Sequence, residues 1–289
     1  MMRDNTKFIF FSLFPCLIYI FLTQAFPIAY GIYLSLTSWT LTSTGTSKFI
    51  FLNNYIELFY DLRFINSLRV TLIFFIFALL IEIAVGFFLA IMLYKLKKGR
   101  RIITALLLIP FQMTPVVSAL GWRTFIYNPL YGLLNLFLGS IGLPKQRWLS
   151  DPSLVLPSII IYDTWAWSPF IALSLLAGLM GIPIELFEAA RIDGASEIKI
   201  IKLIIIPTLK SLIAVVALIR GADIIKAFAT IFTMTGGGPG YLSEIINLYC
   251  YYVSFIDLKI GYGASIGIFS FILITLYYIC ILKVLIKGE

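Results

Sequence analysis

The sequence predicts an all-α integral membrane protein that crosses the bilayer about six times. Three observations carry this. The 289 residues are 61% hydrophobic and only 12% charged, where a soluble domain carries about 25% charged residues. The apolar residues gather in runs of roughly 20 or more, the length of a membrane helix rather than of a barrel strand. The basic residues lie mainly between those runs, as topology signals do. In lipid the backbone must satisfy its own hydrogen bonds, which leaves helices for runs of this length.

The first run, 8–36, holds Pro15 and Pro27, so a kink or break is expected in it. It lacks a small-residue cleavage site and reads as a retained span. Tyr33 and Trp39 mark its outer end. A polar segment, 40–64, leads to the second run, 66–94, interrupted only by Glu82. Lys95 to Arg101 then places five positive charges in seven residues. The third run, 102–127, contains Pro110 and Pro115 and is followed by a loop rich in Gly and Pro. The fourth, 154–180, carries Trp165 and Trp167, and the fifth is 203–233. Thr235-Gly236-Gly237-Gly238-Pro239-Gly240 ends that helix. Tyr241 to Asp257 reads as a short interfacial or re-entrant helix before the sixth run, 262–285.

With an even number of crossings, one side receives both termini and 13 of the 22 basic residues. They are Arg3, Lys7, the 95–101 group, Arg191, Lys199, Lys202, Lys210, Lys283 and Lys287. That side is expected to be the cytoplasm. The net charge of +8 is therefore a topology signal and not a nucleic-acid one. No histidine is present, and Cys16, Cys250 and Cys280 have no metal-ligand spacing, so neither metal nor cofactor is expected.

The segment 183–203 is charged and amphipathic. Pro183 opens a helix with body Ile184 to Ile192, Gly194 ends or bends it, and Ser196 caps a second helix. Small residues Ala189, Ala190 and Gly194 allow another surface to come close, although an ordinary connecting helix has the same composition. In the spans, Glu82 must face protein or water, be paired, or be protonated. Arg220, Asp223 and Lys226, three apart, share one side of the fifth helix. They either seal the bundle or line an aqueous path, with Asp223 able to pair with either neighbour.

The spacing Glu188-Ala189-Ala190, three residues, Gly194, nine residues, Ile204, one residue, Ile206-Pro207 resembles the Glu-Ala-Ala loop of permease subunits of binding-protein-dependent ABC importers. Ile206 stands where leucine is usual. Ile192-Asp193-Gly194-Ala195-Ser196 is similar to the carbohydrate-uptake branch in particular. Asn53-Asn54-Tyr55, Gly132-Leu133-Leu134-Asn135, and the Arg220, Asp223, Lys226, Phe228 series with its glycine run resemble the same branch, except that Ala229 replaces a frequent acidic residue.

The resemblance implies a six-helix type I ABC importer permease fold with a cytoplasmic coupling helix. It implies that Glu188, Ala189, Ala190, Asp193, Gly194 and Pro207 couple the chain to an ATPase. It further implies a second, related permease, two cytoplasmic ATPase subunits that hold ATP and Mg, and an extracytoplasmic solute-binding protein. ATP hydrolysis would then lie outside this chain, which has no Gly-x-x-x-x-Gly-Lys-Ser/Thr loop. The expected solute is a sugar or oligosaccharide. A glycerol-phosphate-type solute is the alternative, since Arg220 and Lys226 suit an anion; a secondary transporter is a further one. Glu82, Trp165, Trp167, Arg220, Asp223 and Lys226 are the candidate pathway residues. Asp151, Asp163 and Glu244 are expected on the external side, where they would meet the binding protein.

Overall fold

The computed structural model describes residues 13–42 and 47–286. The start of the first predicted run, Arg3, Lys7, Lys287 and Glu289 lie outside the described residues. Among the described residues, five helices are long and apolar enough to cross a membrane, or six if one bent pair is a single span. The structure divides into two compact units, 1–65 with 249–272, and 66–248 with 273–289.

In the first unit, α1 (Leu13–Ser35) is a continuous helix through both prolines. Its turn Phe21–Ala25 is widened to a π-turn, with Phe26 N–H donating to the Phe21 carbonyl. Pro27 lacks an N–H, and the widened register absorbs that missing bond without a break. The expected kink is thus a local change of helix type. Beyond α1 comes α2 (Asn53–Tyr60). Its Asn54 amide donates to the carbonyls of Ser35 at 2.7 Å and Thr37 at 2.9 Å, tying α2 to the end of α1.

Asp61 caps the start of α3 (Leu62–Lys95). One carboxylate oxygen accepts from the N–H of Arg63 at 2.9 Å and of Phe64 at 3.2 Å. The other accepts from the Tyr262 hydroxyl at 2.8 Å and from the Tyr249 hydroxyl. Burial raises the Asp61 carboxyl, but these hydrogen bonds outweigh it and hold the group below its ordinary value.

In the second unit, α4 (Arg100–Gln112) and α5 (Pro115–Ile126) meet at 97°. The span predicted over 102–127, with its two prolines, is therefore bent at a break. Pro115 excludes helical backbone at Thr114, which is extended at φ −62, ψ 137. A short α6 (Leu133–Ser140) follows, and the side chain of its buried Asn135 bonds Gln146 through both amide groups at 2.9 Å, closing the loop.

Helix α7 (Val155–Met180) is central: 67% of its apolar window is buried, against 28% for α3. Then come α8 (Ile184–Ile192) and α9 (Glu197–Ile225). Ahead of Pro207, α9 repeats the device seen in α1, a π-turn at Ile201–Ile205. A core of Ala90, Leu93, Ile171, Leu175, Leu179, Phe187, Ile200, Ile205 and Leu209 joins α3, α7, α8 and α9.

The predicted fifth span, 203–233, is also interrupted. Helix α9 ends at Ile225, and α10 (Phe228–Met234) starts after an unwound Lys226–Ala227. No proline or glycine stands there. Both residues line a cavity, and non-helical backbone at membrane depth is tolerated where it borders one. The chain continues through α11 (Ile246–Ile256) to α12 (Ile260–Ile286). Tyr277 of α12 lies over Gly221 and donates to the Ala217 carbonyl, packing α12 against α9.

Candidate functional site

Two places gather the residues of interest, and the first is a cavity of about 260 Å³. Pro115, Asp163, Trp167, Arg220, Asp223, Lys226, Ala227, Ala229 and Thr230 line it. At its base the Arg220 guanidinium is 1% exposed. Nε donates to Glu82 Oε2 at 2.6 Å and Nη2 to Glu82 Oε1 at 3.0 Å, while Nη2 also bonds Asp163. One guanidinium therefore ties α3, α7 and α9 together. A charge at this depth is tolerable only with such partners.

Trp167 covers the guanidinium, with the Arg220 carbon 4.2 Å from the ring centroid. Phe111 packs edge-on against Trp167 at 5.3 Å. At the rim, Lys226 Nζ lies 3.3 Å from Asp223 Oδ1, and both side chains are more than a third exposed. A second cavity of about 200 Å³ shares Pro115, Trp167 and Thr230 with the first. There the hydroxyls of Ser118 and Tyr162 are 2.7 Å apart. The combined surface offers aromatic rings, hydroxyls and closely spaced opposite charges. Such a surface can stack on and hydrogen-bond a polyhydroxylated solute.

The second place is the surface of α8. Phe187 is buried and packs on Tyr94 at 5.8 Å. Glu188 and Ala189 are exposed, whereas Ala190 is half-buried against the core. Gly194 has φ +75, a left-handed conformation that suits glycine, and Ala195 N–H reaches back to the Ala190 carbonyl at 2.9 Å. Ser196 caps α9 by accepting from the Lys199 N–H. Asp193, Gly194 and Pro207 are exposed. Glu197 bridges to Lys95 at 2.7 Å and Arg191 at 3.4 Å, so the ends of α3, α8 and α9 meet at this surface.

Compared with known proteins, residues 7–288 match the sequence profile of the binding-protein-dependent transport system inner membrane component. This chain belongs to that family. A relative is the trehalose/maltose transport system permease protein MalF of Thermococcus litoralis, 36% identical over 84% of this chain and 82% of its own length. Another is the trehalose transport system permease protein SugA of Mycobacterium tuberculosis, 31% identical over 86% of this chain and 78% of its own. In fold, it is similar to a chain of a bacterial alginate ABC transporter in complex with an alginate-bound periplasmic protein. That likeness has TM-score 0.84 at 22% identity, covering 97% of this chain and 95% of the other. The inner membrane component is thus a multi-pass, all-α transport subunit of the plasma membrane, and not an enzyme.

In this inner membrane component, Trp167, Arg220, Asp223 and Lys226 line one cavity, and Glu82 reaches it through Arg220. Trp165 does not. Its ring lies 5.1 Å from that of Trp122, tilted by 51°, and lines another, largely apolar cavity with Leu106, Pro110 and Ile161. Arg220 and Asp223 are not a pair: Arg220 turns to Glu82 and Asp163, and Asp223 to Lys226.

Asp163, expected on the external side, is buried at 1% exposure and bonds Arg220. Glu244 is buried too, beside Gly237, and offers no surface to a partner. The signal that could have found Asp163 is its position four residues before Trp167, on the same face of α7. Ser118 and Thr230 carried no signal, because single hydroxyls in apolar runs are common.

Proposed function

We propose that this chain is one of two permease subunits of an ATP-driven importer for a sugar or oligosaccharide. The other is a related chain. An extracytoplasmic solute-binding protein delivers the solute, and two cytoplasmic ATPase subunits, with ATP and Mg, drive its passage. The six crossings are α1, α3, the α4–α5 pair, α7, α9 and α12, with both termini in the cytoplasm. Glu82, Trp167, Arg220, Asp223 and Lys226 border the path. The carbohydrate reading is supported by the cavity's aromatic and hydroxyl lining and by relatives named for trehalose and maltose transport.

The observation that carries the coupling role is the exposure pattern of α8. Its outer face presents Glu188 and Ala189, with Asp193 and Gly194 exposed just beyond its end, while Phe187 on the inner face belongs to the core shared with α3, α7 and α9. A force applied to that outer face by an ATPase is transmitted through packed side chains into three long helices. The 183–203 segment thus acts as the coupling loop, with Pro207 inside α9 just beyond its π-turn.

The test is to replace Glu188 by Ala, and separately Gly194 by Val, in the assembled transporter. Each is expected to lower sugar uptake at least about tenfold, by weakening ATPase assembly or uncoupling hydrolysis, while the permease still inserts. Unchanged uptake in both variants refutes the coupling assignment.

A further inference from the structure

The cavity's cations are accounted for in an unequal way. Among its lining residues only Arg220 and Lys226 are basic. Arg220 is buried and engaged by both Glu82 and Asp163. A solute meets it only by displacing a buried ion pair. Lys226 is different: its side chain is 53% exposed, and its contact is Asp223, itself 36% exposed. Ala229, nearby on the same wall, adds only a methyl group.

We infer that Asp223 is a specificity-determining residue, which neutralises Lys226 and tunes this chain's side of the path to uncharged saccharides over acidic ones. The inference rests on the sugar-importer reading above. A hydroxyl both donates and accepts, so it can bridge the Lys226 ammonium and the Asp223 carboxylate without disturbing either. A carboxylate or phosphate on the solute can only accept. It would gain Lys226 but stand beside Asp223. At about 6 Å, in surroundings of effective dielectric about 20–80, one like charge disfavours the anion about three- to hundredfold. The same reasoning counts against a glycerol-phosphate-type solute, because the exposed cation that would hold it already has a counter-ion.

The experiment uses the complete permease–ATPase complex in nanodiscs, without the binding protein, so that the permeases alone do the selecting. Equilibrium binding is measured for trehalose and maltose and for their uronic-acid counterparts, in which one C6 hydroxymethyl is a carboxylate. The wild type is expected to prefer the neutral sugars. D223N should shift the ratio about tenfold toward the carboxylates, D223E should keep the wild-type ratio, and adding K226Q to D223N should abolish the gain. Melting midpoints of the variants confirm that each remains folded. A D223N ratio within about twofold of wild type, with neutral sugar still bound, overturns the role of Asp223 and leaves the sugar reading standing. Failure of every sugar to bind wild type overturns both.

Discussion

Arg220 shows how one residue can organise a membrane bundle. Its guanidinium is bonded by carboxylates from two other helices, and all three side chains are almost fully buried. Removing one member of a buried ion network leaves an uncompensated charge and costs about 3–5 kcal/mol. R220M should therefore lower the melting midpoint of the detergent-solubilised protein sharply. Replacing the whole set with apolar residues of similar volume, E82M/D163L/R220M, should recover most of that loss while transport stays impaired. A wild-type midpoint for R220M contradicts this account. At this scale the sequence was legible only in part. Glu82 stood out as a charge that needed a partner, but the partner lies 138 residues away, a distance that local spacing does not span. Local spacing therefore left Asp223 able to pair with Arg220 or with Lys226; it pairs with Lys226, and the acceptors for Arg220 come from neighbouring helices.

Elements were read most reliably where the backbone alone decides. Pro183, Gly194 and Ser196 set the ends of α8 and the start of α9, because each acts through its own dihedral angles or cap. Prolines were harder. Pro27 and Pro207 sit in continuous helices that absorb them with π-turns, whereas Pro115 breaks its span by 97°. The break at Lys226–Ala227 has no local signal and follows from the cavity that the tertiary fold creates there. Packing between elements yields its own prediction. A Cβ at Gly221 would run into the Tyr277 ring and hydroxyl. G221A is thus expected to cost about 1–3 kcal/mol through overpacking. The double variant G221A/Y277L should regain stability relative to G221A, since the obstructing ring is gone. Additive losses in the double variant, read as melting midpoints, would show that this contact does not set the approach of α9 and α12.

For the whole molecule the open quantity is the number of crossings, and it turns on the α4–α5 pair. Counted as one crossing, the pair gives six and puts both termini on the side rich in Lys and Arg. Counted as a re-entrant loop, it gives five and puts the termini on opposite sides. Charge favours six: Lys95 to Arg101 span the junction of α3 and α4, whereas the loop after α5 carries only Lys145 and Arg147 before α7. Exposed sites suited to a direct test are Gly99, Gly142, Ser196 and Lys259. In a background with Cys16, Cys250 and Cys280 replaced, single cysteines at these sites are treated in intact cells with an impermeant maleimide. Positions 142 and 259 should label from outside, while 99 and 196 should label only after permeabilisation. Labelling of 99 and 142 from the same side would mean that the bent pair enters and leaves by one face. The Glu188–Pro207 surface would then lie opposite the basic 95–101 segment, against the Lys95–Glu197 bridge that joins them at 2.7 Å. That bridge and the charge count make the same demand, so a single labelling pattern tests both.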